Sequence, residues 1–263
     1  MLVRMIIIDL SCFFVARMLR AWEKDADTDG YGPEETAALS IARIANIKPH
    51  ADVIIAGMDL SKDSRVWQQD ICPDYRPRAA SIAPDVAEAA GRMIEAIQGM
   101  GIEVVTVDGM ESDDLAAAIA LRLLAQGQGV TVVSNSLRLL PLTGQGATIR
   151  DPFGGRRTRH WCESKFHVRP DQIPDYLALT GCGRFPGVPG IGPKRAARTL
   201  HIWPDVETVV SLPPCGDSVL SRIRQHAYRA LINKVMVSCA IATNSDLVRR
   251  NETPKHESSR FWQ

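Results

Sequence analysis

The chain has 263 residues, 45% of them hydrophobic, and a formal net charge of +1 from 31 Lys and Arg against 30 Asp and Glu. This composition excludes an intrinsically disordered chain and supports one large domain or two unequal ones. The near-neutral total does not itself argue for nucleic acid, so such a partner must rest on where the charges sit.

The opening MLVRMIIIDLSCFFVARML is broken by Asp9 and Arg17. It reads as a buried strand (Met5 to Leu10) entering a helix over 11–22, rather than as a secretion signal. No run approaches the ~20 apolar residues that cross a bilayer. The six cysteines are scattered without a CxxC pair, as expected for free thiols in a reducing cytoplasm (a host's, if the chain is phage-encoded). Residues 24–33 form a polar loop that lacks the ligand spacing of a calcium site. Pro33 and Glu34 open a helix to about Asn46. Val53 to Ala56 is the second strand, with Asp59 just past its end. Residues 60–80 are polar, with Arg65, Arg76 and Arg78 around Tyr75. A helix from Pro84 to Met100 follows, then a strand from Ile102 to Val107.

After Gly109 comes ESDDLAAAIALRLLAQG, a strong helix, and then a fourth strand over Val130 to Ser134. Ile149 sits in a short further strand leading to the basic loop GGRRTR. Alternating strands and helices give an α/β fold with a largely parallel sheet. Beyond about residue 163 the pattern is helical, with a soft boundary at 163–170.

In open parallel sheets, ligands bind beyond the carboxyl ends of the strands. Asp9 and Asp59 occupy such ends, and Glu111, Asp113 and Asp114 follow the third. Glu111 and Asp114 share a helix face. Two readings are open for ESDD: acids favourable at a helix start, or an oxygen-only cleft for Mg²⁺ or Mn²⁺. In GVPGIGPKRAARTL, glycines permit a tight turn and a basic helix then begins. Lys194 and Arg198 align four residues apart. Such a turn and helix can hold a phosphate backbone. Arg156, Arg157 and Arg159 form a second basic patch, either solvated surface or extra phosphate contacts. Trp161 and Trp203 read as packing residues.

Taken in order, DYRPRAA, GMESDDLAAAIA and GVPGIGPKRAARTL resemble the bacterial and phage 5′-to-3′ exonuclease and flap endonuclease family. The resemblance runs from the first strand to about Leu200. It implies a PIN-like sheet over 1–165 with an arch at 60–80, and a helix–hairpin–helix DNA-binding region (the family's H3TH) over 166–263. It also implies metal ligation by Asp9, Asp59, Glu111, Asp113 and Asp114, and a phosphate contact by Arg76. DNA contacts are implied for Arg78, Gly187, Val188, Gly190, Ile191, Gly192, Lys194, Arg195 and Arg198. The hairpin carbonyls in the family often hold K⁺. The expected partner of this monomer is DNA with 5′ ends, flaps or branches, with RNA-containing primers as a further substrate class, and no membrane.

The departures matter equally. Where the family has Ser-Gly-Asp-x-Asp-Leu, this chain reads SNSLRLLPL, placing Ser136 and Arg138 at the aspartate positions. Before the hairpin, GCGRF replaces a segment with two further aspartates. The second-metal ligands are absent, which implies a one-metal site. A metal-dependent 5′ nuclease is the leading expectation. A catalytically silent branched-DNA binder is the alternative, and a small-phosphate hydrolase is third.

Overall fold

The computed structural model describes residues 4–11, 32–57, 66–73, 75, 84–182 and 185–239. In chain order the elements are β1 (Arg4–Asp9), α1 (Pro33–Ile47), β2 (Asp52–Ala56), α2 (Gln68–Ile71), α3 (Pro84–Gly99), β3 (Glu103–Val105), α4 (Ser112–Ala125) and β4 (Gly129–Val133). A 3₁₀ segment, Leu137–Gln145, leads to β5 (Thr148–Arg150), β6 (Arg156–Arg157) and α5 (Arg159–Phe166). Then follow α6 (Ile173–Thr180), β7 (Gly181–Cys182), β8 (Phe185–Pro186), α7 (Pro193–Ile202), α8 (Val206–Ser211), α9 (Ser218–Gln225) and α10 (Ala227–Val237). The expected helix over 11–22 is described only at its first residue, Ser11, which is helical, and Asp59, Arg65, Arg76 and Arg78 lie outside the described residues.

The main sheet runs β3-β2-β1-β4-β5-β6, parallel except for β6. The chain builds outward from β1 to β3 and then returns to place β4 on β1's other side. This makes the β1/β4 junction a topological switch point, where open sheets bind ligands. Side chains alternate across the sheet. Met5 and Ile7 join the core under α4, with Leu115, Ile119 and Leu123. Ile8 joins the opposite core with Ile44 of α1 and Met93 and Ile97 of α3. Both faces of the central strands are covered, so β1 and β4 read as nearly continuous apolar runs.

Two sequence expectations change. The third strand is shorter than expected, Glu103–Val105 rather than Ile102 to Val107. The basic loop is in part a strand, since Arg156 and Arg157 pair antiparallel with Arg150 and Ile149. Arg157 also donates to the Asn135 carbonyl at 3.0 Å and to Asn135 Oδ1 at 2.8 Å, and its guanidinium lies over the Trp161 ring. Arg159 pairs with Glu163. Two of the three patch arginines are therefore committed within the protein. Trp161 and Trp203 pack against the helical core, as packing residues should.

The helical part has its own core, with Leu177 and Leu179 of α6, Leu200 of α7, Val206 and Val209 of α8 and Ile223 of α9. Its polar anchor is Asp175, which is nearly wholly buried. Asp175 accepts the Val206 N–H at 2.8 Å and pairs with Lys234 Nζ at 2.8 Å, and Lys234 also pairs with Glu207. Burial pushes the Asp175 carboxyl up, although Lys234 opposes that shift. Lys234→Met removes the ammonium and leaves the carboxylate buried. We expect a loss of about 3–5 kcal/mol near neutral pH, by denaturant unfolding. The deficit should shrink at low pH, where a proton can neutralise Asp175. A loss that is independent of pH would contradict this role.

Candidate active site and nucleic-acid interface

Asp9 ends β1 at the switch point and is fully buried. Its carboxylate accepts hydroxyls from Ser112 at 2.7 Å, Ser134 at 2.6 Å and Ser11 at 3.1 Å. Ser134 follows β4 and Ser112 opens α4, so Asp9 ties the two central strands to the helix carrying the acidic residues.

Glu111, Asp113 and Asp114 converge, with one carboxylate oxygen from each lying within 4.8 Å of the others. Glu111 is the N-cap of α4, but its side chain makes no capping hydrogen bond. Asp113 and Asp114 lie in the first turn of α4, where both readings of ESDD place them, and the Glu111 carboxylate turns to the cleft. It accepts from Tyr75 Oη at 3.1 Å, Gln68 Nε2 at 3.3 Å and Arg138 Nη1 at 3.0 Å. Asp114 is fully buried and accepts from Trp67 Nε1 at 2.9 Å, Gln68 Nε2 at 2.8 Å and Arg138 Nη2. Asp113 accepts from Ser136 Oγ at 2.8 Å and Arg138 Nη1 at 3.0 Å.

Both substituted positions therefore face the acids. Ser136 bonds Asp113 while its Oγ accepts the Arg138 N–H, and Arg138 spreads one guanidinium over three carboxylates. Nε of Arg138 donates to the Val237 carbonyl at 3.3 Å, joining the cleft to α10. Burial disfavours the Arg138 charge, but the carboxylates of Asp113, Asp114 and Glu111 hold its pKa well above the usual arginine range. The Cys239 thiol, pushed well up by burial, stays neutral.

At the shortened GCGRF segment, Gly181 and Cys182 pair with Pro186 and Phe185 as the small β7–β8 ladder. Its Phe185 ring stacks on Tyr75 at 5.0 Å between centroids, steadying the tyrosine that donates to Glu111. An aromatic support thus stands where the resemblance expects carboxylates.

Burial, followed by repulsion from Asp113 and Glu111, outweighs Arg138 and Trp67 and pushes Asp114 up to about 6. Between the ordinary value of 3.8 and about 6, the folded protein keeps a proton that the unfolded chain has released. Stability from this group is therefore lost as pH rises through that window. In EDTA, the wild type should lose thermal stability relative to Asp114→Asn as pH rises from 3.8 to about 6. A flat difference across the window would contradict the assignment.

The hairpin lies between α6 and α7. Gly187 has no room for a side chain, since a Cβ there would fall 2.4 Å from the Leu179 carbonyl oxygen and 2.5 Å from the Gly181 nitrogen. Gly190 turns with φ at 76°. Val188 and Ile191 bury their side chains in the helical core, so only their backbone can face a ligand. Gly192 caps α7, whose first turn carries no acid, and Lys194, Arg195 and Arg198 are exposed while Ala196, Ala197 and Leu200 pack inward. Arg195 Nη1 donates to the Gly190 carbonyl at 2.6 Å, and the Val188 carbonyl accepts the Ile191 N–H. Arg222 of α9 lies beside the turn, its Cδ 3.3 Å from where a Gly190 Cβ would sit.

Of the five expected metal ligands, the fold brings together Glu111, Asp113 and Asp114. Asp9 sits among serines, and Asp59 is outside the described residues. Sequence reasoning misses Trp67, Gln68, Ser11, Ser112 and Ser134 as partners of the carboxylates, and Arg222 at the hairpin. Ser112 lies within ESDD and Ser134 opens SNSLRLLPL, yet neither motif signals a bond to Asp9, and the other four belong to no motif. Only tertiary structure brings them in.

No protein-family profile matches the chain. It is 30% identical over 188 residues to the flap endonuclease Xni of Photobacterium profundum, covering 70% of this chain and 73% of that one. It is 30% identical over 215 residues to the Xni of Vibrio atlanticus, covering 81% and 82%. Its fold is similar to that of the T5 D15 protein co-crystallised with metal ions, with a TM-score of 0.73 at 16% identity over 94% of this chain and 96% of that one. A pseudo-enzyme-product complex of the bacteriophage T5 flap endonuclease with DNA and metal ions gives 0.69 at 15% identity, over 94% and 96%.

Proposed function

This chain belongs to the flap endonuclease family, and from that membership we propose that it is a divalent-metal-dependent 5′ nuclease. It hydrolyses phosphodiester bonds at 5′ ends and flaps of branched DNA, as replication and repair require. The observation that carries the reading is the convergence of Glu111, Asp113 and Asp114 at the carboxyl end of a parallel sheet. Their oxygen-only donor set fits one hard cation, Mg²⁺ or Mn²⁺. When bound, such a metal would activate water and neutralise charge on the phosphate.

The chain's own residues supply the rest. Asp113 and Asp114 are held on α4, Tyr75 and Gln68 orient Glu111, and Asp9 forms the floor with its serines. The resemblance implies that Asp59 adds to the acidic set and that Arg76 contacts the phosphate. The hairpin at 187–192 grips the duplex backbone through main-chain groups, and Lys194, Arg195 and Arg198, with Arg78, add salt-sensitive phosphate contacts. A K⁺ ion at the hairpin carbonyls would add to that grip. The sheet part, to about residue 165, does the chemistry, and the helical part holds the duplex. We take the working unit to be the monomer.

The guanidinium of Arg138 among the acids favours one alternative, a catalytically silent binder of branched DNA. Magnesium-dependent hydrolysis of 5′-flap, nicked or gapped DNA separates the two. Cleavage supports the nuclease, whereas salt-sensitive binding without any cleavage supports the silent binder.

A further inference from the structure

The guanidinium of Arg138 occupies the focus of the acidic cluster. Nη1 lies 3.0 Å from both Glu111 Oε2 and Asp113 Oδ1, and Nη2 pairs with Asp114. These are the three residues whose oxygens come close enough to share one ion. Three carboxylates so near one another repel unless a positive charge relieves them. Arg138 supplies one such charge, leaving the group formally at −2.

A divalent ion at the same focus would face the guanidinium across a few ångströms. Two unit charges about 4 Å apart interact by about 4 kcal/mol at an effective dielectric near 20, and a dication doubles that. The two cations therefore compete for the same oxygens. The backbone around Arg138 is held apart from its guanidinium by Ser136, whose Oγ accepts the Arg138 N–H and donates to Asp113. Only the side chain needs to move.

We propose that Arg138 is a tethered counter-cation of this site: it keeps the carboxylates converged without metal and must be displaced for a divalent ion to enter. Metal affinity is then set by the strength of this internal competitor as well as by the ligands. The inference rests on the reading of Glu111, Asp113 and Asp114 as the metal site.

The test is Mn²⁺ binding to the full-length protein without DNA, measured by calorimetry or by the electron paramagnetic resonance of free Mn²⁺. Arg138→Gln should bind Mn²⁺ at least about tenfold more tightly than wild type. Its thermal stability in EDTA should fall, and saturating Mn²⁺ should restore it. Arg138→Lys keeps a charge but cannot span three carboxylates at once, so its affinity should rise by less. If Arg138→Gln does not fold, Arg138→Lys decides the matter. Measurable Mn²⁺ binding with equal or weaker affinity in the folded variants overturns the proposal while leaving the metal site intact. Absence of Mn²⁺ binding in wild type and variants alike, at millimolar metal, overturns the metal-site reading and this inference together.

Discussion

Asp114→Asn should lower metal-dependent cleavage of a 5′ flap by at least about a hundredfold, while changing duplex affinity by less than about twofold. Asp114 is the one fully buried member of the triad, held by Trp67, Gln68 and Arg138 together. The amide keeps the size but removes a charge and an acceptor oxygen from the proposed ligand set. Losing a group that merely orients a ligand already costs about 10- to 100-fold, so losing a ligand should cost more. Duplex binding rests on the hairpin and should survive. Single-turnover cleavage and DNA affinity, measured on one preparation, check both halves. Because Asp114 is uncomfortable as an anion in the metal-free fold, the variant should remain folded at neutral pH.

Gly187→Ala should do the reverse. A Cβ at this position would meet the Leu179 carbonyl oxygen at 2.4 Å and Thr180 and Gly181 backbone atoms at 2.4 and 2.5 Å. Those backbone atoms lie at the end of α6 and the start of β7 and cannot swing aside as a flexible side chain could. The hairpin must open, displacing the Val188 N–H from the Leu179 carbonyl it reaches at 2.9 Å. We expect about 1–3 kcal/mol of lost stability and at least about a tenfold weaker duplex affinity. Mn²⁺ binding at the acidic cluster should be unchanged, because that site is built on α4, α2 and the 3₁₀ segment. Weakened metal binding with intact DNA binding would place Gly187 in the wrong role.

The two halves of the molecule differ in how legible they are. The central strands are readable because burial on both faces makes them continuous apolar runs, as in MIIID and VIIA. The hairpin is readable because Gly187 and Gly190 answer steric demands, a backbone with no room for a Cβ and a positive φ, that favour glycine. The α/β architecture and the helical second half follow, and so does the convergence of Glu111, Asp113 and Asp114, since ESDD opens a helix just after a strand. The partners of those acids are not readable. Arg138 can be recognised as a departure from an aspartate pattern, but its guanidinium reaches acids 24 to 27 positions away along the chain. Tyr75 is fixed by stacking on Phe185, a contact far apart in the chain that no local periodicity encodes. Arg157 illustrates the opposite failure. It reads as part of an exposed basic run, yet Asn135 and Trp161 take it up inside the fold.

The role of Arg138 also explains how a chain lacking several of the family's acids can keep the remaining ones together. Ser136 and Arg138 supply donors where further carboxylates would have needed a second cation. A smaller acidic set with an internal counter-charge suits a single divalent ion, and it makes metal occupancy depend on displacing that charge.

The central claim, that this cleft cuts DNA with a divalent metal, is tested most directly by one assay on a 5′-end-labelled flap duplex. The full-length protein is incubated with Mg²⁺, with Mn²⁺ and with EDTA, and product is measured alongside DNA binding. The account predicts cleavage near the flap junction with either metal and none in EDTA, with DNA bound in all three. Binding without cleavage in both metals, or cleavage that persists in EDTA, would contradict it.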